Sequence, residues 1–163
     1  MLTQDDVAKM PLEKRLERMA RTADTLAALL AGEKDTVISR RPDAKNWAPK
    51  EVVCHLRDTE ESFMGRFQMM MAMGEPRFLP IDPERWAEER QYRRNDTTEA
   101  LRAFRQRREE SLAFLHGLTA EQWQRGGIHA TRGRMAIVDW VNLMTWHDEN
   151  HLEQIRRGLK GQP

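Results

Sequence analysis

The sequence predicts an all-α protein, a four-helix bundle. Three observations carry this. Apolar residues recur at three- and four-residue spacing through four long stretches, as on one face of a helix. Strand-type alternation never persists for more than a few residues. The long stretches are separated by polar connections rich in Pro and Gly, the arrangement in which amphipathic helices bury their faces against one another. With 163 residues, a single domain spanning 1–163 is expected.

The first helix is predicted from Pro11 to Leu30. Its apolar stripe is Leu12, Leu16, Met19, Ala23, Leu26 and Leu30, with Pro11 suited to a first helical position and Gly32 to a stop. A polar connection over 33–48 leads to the second helix, from Pro49 to Met73, with Val52, Val53, Leu56, Phe63, Met64, Phe67, Met70 and Met71 on its stripe. Residues 74–96 contain Gly74, Pro76, Pro80 and Pro83, with a short helix expected near Glu84–Arg90. A connection of this length between the second and third helices is either disordered or functional. Arg85, Trp86 and Tyr92 within it are candidates for a lid that contacts substrate, against the plainer reading of a packed connector. The third helix is predicted from Thr98 to His116 and the last from Met135 to Leu159, with an irregular stretch over 117–134 between them.

Composition excludes several classes. Lys plus Arg number 27 against 26 Asp plus Glu, so no global charge favours nucleic acid or an anionic membrane. The run Arg105–Arg108 is followed by Glu109 and Glu110, which surface pairing along a helix explains better. A single cysteine, Cys54, cannot form an intramolecular disulfide and fits a reducing compartment. In a helix Cys54 points away from the stripe, with no base aimed at it. No stretch approaches a membrane span, and the first residues lack the order of a signal peptide, so a cytoplasmic location is expected.

In a bundle, functional groups project from facing helices into the core, so gaps in the apolar stripes are informative. The stripe of the last helix is interrupted at Asp148 and His151, within His147-Asp148-Glu149-Asn150-His151. Two histidines four apart lie on one face about 6 Å apart along the axis, a spacing that lets two imidazoles reach one ion. It also occurs in ordinary surface pairs. His55, on the second helix, is the best third ligand, although it lies roughly 110–120° from the mean direction of its stripe. His116, at a helix end, and His129, in a Gly-rich loop, are read as structural or solvent-facing. Glu60 and Arg108 also fall at core-facing positions. Each alone is better explained by a long stem reaching the surface; together with Asp148 they would need to pair. Asp148, short and central, is expected to support a histidine if a metal binds.

The segment Trp47-Ala48-Pro49-Lys50-Glu51-Val52-Val53-Cys54-His55-Leu56-Arg57-Asp58-Thr59-Glu60, the Gly133-Arg134 step and His147-Asp148-Glu149-Asn150-His151-Leu152-Glu153-Gln154-Ile155 occur in this order. Through them the chain resembles the DinB/YfiT superfamily of small four-helix-bundle metalloproteins. The resemblance implies a divalent metal held by His55, His147 and His151, zinc or nickel first, with iron or manganese also compatible. Asp148, Glu60, Asp58 and Arg108 would then stand around the site in supporting or catalytic roles. It implies an open position for water or substrate, and transfer of a low-molecular-weight thiol to an electrophile as the leading reaction. Hydrolysis by activated water is the alternative. The all-histidine set points away from the mycothiol-dependent isomerase branch, which has a Glu in place of one histidine. A non-catalytic bundle would be marked by a fourth protein ligand, such as Glu51 or Asp58. A small-molecule substrate is expected, without nucleic acid or membrane, and the resemblance is compatible with a homodimer.

Overall fold

A computed structural model describes residues 2–163. After a short helix α1 (Gln4–Ala8), four long helices form the bundle: α2 (Leu12–Leu30), α4 (Pro49–Ala72), α6 (Thr97–His116) and α8 (Ile137–Leu159). Short helices α3 (Asp35–Ile38), α5 (Pro83–Glu89) and α7 (Ala120–Trp123) occupy the connections, with a 3-10 turn over Tyr92–Arg94. Each bundle helix begins where the sequence supplies a start. Pro49 opens α4, and Glu51 reaches back to accept the Ala48 N–H at 2.9 Å. Asp96 caps α6 by accepting the Glu99 N–H at 2.8 Å, and Asp139 accepts the Ala136 N–H at the start of α8.

Both α2 and α4 pack against α6 and α8, so α2 faces α4 across a diagonal and α6 likewise faces α8. The chain therefore crosses the bundle end twice, from α2 to α4 and from α6 to α8. The long connections at 31–48 and 117–136 follow from that path. Helices α4 and α8 run antiparallel side by side: the His55 ring lies 4.8 Å from that of His151, and Phe63 lies 5.6 Å from Trp140.

The all-α four-helix bundle is as expected, and three short strands add a small sheet to it. They are β1 (Arg77–Phe78), β2 (Gly126–His129) and β3 (Gly133–Ala136), in the order β1-β2-β3. The β1–β2 pair is parallel, with Phe78 opposite His129, and β2–β3 is antiparallel. Strands of two to four residues are too short to show alternation, and β1 finds its partner some fifty residues away. Gly127 is required here: a Cβ would lie 2.6 Å from the Pro76 carbonyl oxygen and collide with the Phe78 ring. The last helix consequently starts at Ile137 rather than Met135, because 133–136 is strand.

The other departure concerns α4, which is buried around most of its circumference from Glu51 to Glu60. The connection after it folds back, so α5 and the 3-10 turn cover the side that periodicity assigned to solvent. Cys54 is fully buried beneath Tyr92, with Sγ 3.9 Å from the Tyr92 carbonyl oxygen, and burial pushes its thiol up to about 11. Native protein at pH 8 should therefore react negligibly with a chromogenic disulfide reagent, and one thiol per chain should appear on denaturation. Rapid native labelling would show that this cover opens. Among the described residues no helix is long and apolar enough to cross a membrane.

Candidate metal centre

The three predicted histidines meet. His55 from α4 and His147 and His151 from α8 each present a ring nitrogen, all within 4.8 Å of one another. Nε2 of His147 lies 3.0 Å from Nε2 of His55 and 3.1 Å from Nε2 of His151. Burial lowers all three imidazoles from their ordinary range, reinforced for His55 and His147 by neighbouring rings; His55 falls to about 3. They are thus neutral near pH 7, the state in which imidazole ligates. Nδ1 of His151 lies 2.7 Å from Gln154 Oε1, an acceptor, which places the proton on Nδ1 and the lone pair on Nε2. Three neutral, convergent nitrogen donors, one with its tautomer fixed, fit a divalent ion such as zinc or nickel.

No fourth ligand joins them among the described residues. Glu51 is gripped by Arg41, whose Nε donates at 2.7 Å, and also caps α4. Asp58 accepts from Arg57 at 2.7 Å, from Arg90 and from the Tyr92 hydroxyl at 2.8 Å. It fastens the connection to α4, away from the histidines. On its remaining side the cluster opens into a cavity of about 530 Å³, the size of a small-molecule site. Phe63, Trp140 and Trp146 form apolar walls. Pro80, Ile81, Pro83 and Glu84 of the long connection and His129, Thr131 and Arg132 around the β2–β3 turn form the rim.

Arg108, Glu60 and Asp148 are buried together behind the histidines rather than reaching the surface. Arg108 Nη1 donates to Asp148 Oδ2 at 2.6 Å, and its Nη2 donates to Glu60 Oε2 at 2.8 Å. Burial alone would lower the guanidinium, but Asp148 and Glu60 more than offset this and hold it charged. Asp148 accepts from Arg108 and from the Thr22 hydroxyl, not from an imidazole, so the support expected of it falls to Gln154 instead. The reason is geometric: in a helix, Asp148 turns about 100° away from His147.

The lid candidates lie elsewhere. Tyr92 is fully buried against Asp58, Trp86 packs under the Arg90 guanidinium at 4.0 Å, and exposed Arg85 pairs with Glu89. None lines the cavity; their neighbours Pro80, Ile81, Pro83 and Glu84 do. His129, read as structural or solvent-facing, is buried in β2 and lines the cavity beside Trp140. His116 is exposed at the end of α6. Arg66, Arg132 and Glu84 also reach the cavity, and no periodicity marks them. Gln154 could have been found, since it sits three residues after His151 on the same face.

The fold has known counterparts. Over 98% of this chain and 89% of the other, the structure matches YfiT from Bacillus subtilis with a TM-score of 0.84 at 20% identity. YfiT is described as a probable metal-dependent hydrolase with an unusual four-helix bundle topology. A curated protein of Oceanobacillus iheyensis, OB0413, is 22% identical over 148 residues, covering 91% of this chain and 81% of that one. Its name gives metal-dependent hydrolase as an unproven assignment. Residues 18–155 match the family model of the DinB superfamily, and the chain belongs to that superfamily.

Proposed function

We propose that the protein is a metal-dependent hydrolase acting on a small molecule, with His55, His147 and His151 as the ligands. The convergence of three Nε2 atoms on the wall of a cavity, with no carboxylate closing the set, is the observation that carries this reading. A divalent ion bound there lowers the pKa of a water or thiol that it holds and polarises a carbonyl. The chain supplies the remaining functions. Phe63, Trp140 and Trp146 take the apolar part of a substrate and exclude bulk water. Glu84 is the single carboxylate among the lining residues. Its Oε2 accepts from the Trp47 indole at 3.2 Å, and Oε1 is left to take a proton from an attacking water.

Metal-loaded protein should hydrolyse members of a panel of small esters and amides, and a chelator should abolish turnover. Product formed only when a low-molecular-weight thiol is added would identify thiol transfer, which would use the same open side of the ligand set. With a substrate in hand, Glu84→Gln should lower kcat about 10²–10⁴-fold at unchanged metal content. An unchanged kcat would remove Glu84 from the proton path.

A further inference from the structure

We infer that the cavity contains a second recognition point, for a carboxylate group on the substrate, built by Arg66 with Arg132 and His129. This rests on the hydrolase reading only in placing the carboxylate and the reacting bond on one molecule. Among the charged lining residues, Lys45, Arg66 and Arg132 face a single carboxylate, Glu84. Arg66 is the telling member. Where Arg41, Arg57 and Arg108 are enclosed, each meets a carboxylate within 4.0 Å. Arg66, half-buried, meets none. Its guanidinium carbon instead lies 4.8 Å from the Trp140 ring and 5.3 Å from the Phe78 ring, and Nη2 donates to the Leu79 carbonyl at 2.8 Å. One edge of the fork is thus pinned, while the guanidinium's charge and its other N–H groups have no acceptor among the described residues.

His129 and Arg132 complete the point. Nδ1 of His129 accepts the Thr131 N–H at 3.3 Å, so the ring proton sits on Nε2 as a donor. Among the described residues, Arg132 has only a long contact to Gln4, at 3.4 Å. Three side chains with donors and no committed acid call for an anionic acceptor. A planar, two-oxygen group matches the guanidinium fork.

The test uses hippurate and its neutral amide hippuramide as matched probes. Binding is read from tryptophan fluorescence, since Trp47, Trp140 and Trp146 line the cavity. Full-length protein is titrated both metal-loaded and metal-free, with metal content measured alongside. Hippurate should bind at least about tenfold tighter than hippuramide in both states. Arg66→Gln should erase that preference while leaving hippuramide binding unchanged, and Arg66→Lys should keep part of it. Arg132→Gln, at an exposed site with little bearing on folding, should cause a smaller loss. Unchanged hippurate binding in Arg66→Gln overturns the proposal. So does a preference that disappears on chelation, since the carboxylate would then sit on the metal, or displacement of hippurate by a lower concentration of inorganic phosphate. Arg66-dependent binding in a protein that takes up no metal would uphold the recognition point and defeat the hydrolase reading alone.

Discussion

Arg108→Ala should destabilise the protein by about 3–5 kcal/mol, the cost typical of removing one partner from a buried ion pair. Arg108 is 2% exposed and lies between Glu60 of α4 and Asp148 of α8, and its Nη1 also donates to the Met19 carbonyl of α2 at 2.8 Å. One guanidinium therefore ties all four bundle helices together. Without it, two carboxylates are left in a place that water does not reach. The network is incompletely satisfied, since Glu60 Oε1 and Arg108 Nε have no partner. Replacing the triad together, as Glu60→Leu, Arg108→Met and Asp148→Leu, should consequently cost far less than the single change and can even stabilise. Urea unfolding followed by far-ultraviolet circular dichroism measures both. A single variant within about 1 kcal/mol of wild type would show that the carboxylates are solvated and the pairing is dispensable.

How much of this was legible in the sequence depends on the range of the interaction. Long stripes such as Leu12–Leu30 and Ile137–Leu159 register a helix because burial of one face repeats every turn. The order of those helices in space, with two diagonal crossings, leaves no trace in any one stripe. Cys54 and His55 show the limit of periodicity. It places both off the core-facing stripe, yet Tyr92 of the later connection covers Cys54, and Trp47 with the two α8 histidines packs around His55. Pairing between distant residues hid the sheet for the same reason: β1 is two residues long and is a strand only because 126–129 lies beside it. His147 and His151 were legible because their spacing is local, and Gln154 for the same cause. Arg66, His129 and Glu84 come from three different elements and converge only in the folded chain.

His147→Ala should abolish metal retention while leaving the bundle folded. Wild-type protein purified without an affinity tag or chelator should carry about one equivalent of zinc or nickel per chain, and the variant a small fraction of that. His147 is the decisive position because its Nε2 is the atom nearest both other ligands, 3.0 Å from His55 and 3.1 Å from His151. Its loss leaves one nitrogen on each of two helices, too few donors to outcompete water for a divalent ion. The ring is half-buried on the cavity wall and makes no hydrogen bond to Arg108, Glu60 or Asp148, so the circular dichroism spectrum should stay helical. Gln154→Ala removes only the acceptor that orients His151, and should weaken affinity about 10–100-fold without abolishing binding. His116→Ala, at the exposed end of α6, should change nothing and controls for adventitious binding by histidine. This graded series separates a built site from a chance cluster. A site assembled for metal responds most at the shared nitrogen, less at its support and not at all at a remote imidazole. Equal metal content in all three variants would place the ion elsewhere. A wild-type chain that stays metal-free after incubation with zinc, nickel and iron would leave the cavity as a binding site without a Lewis acid, and the hydrolase reading would fall with it.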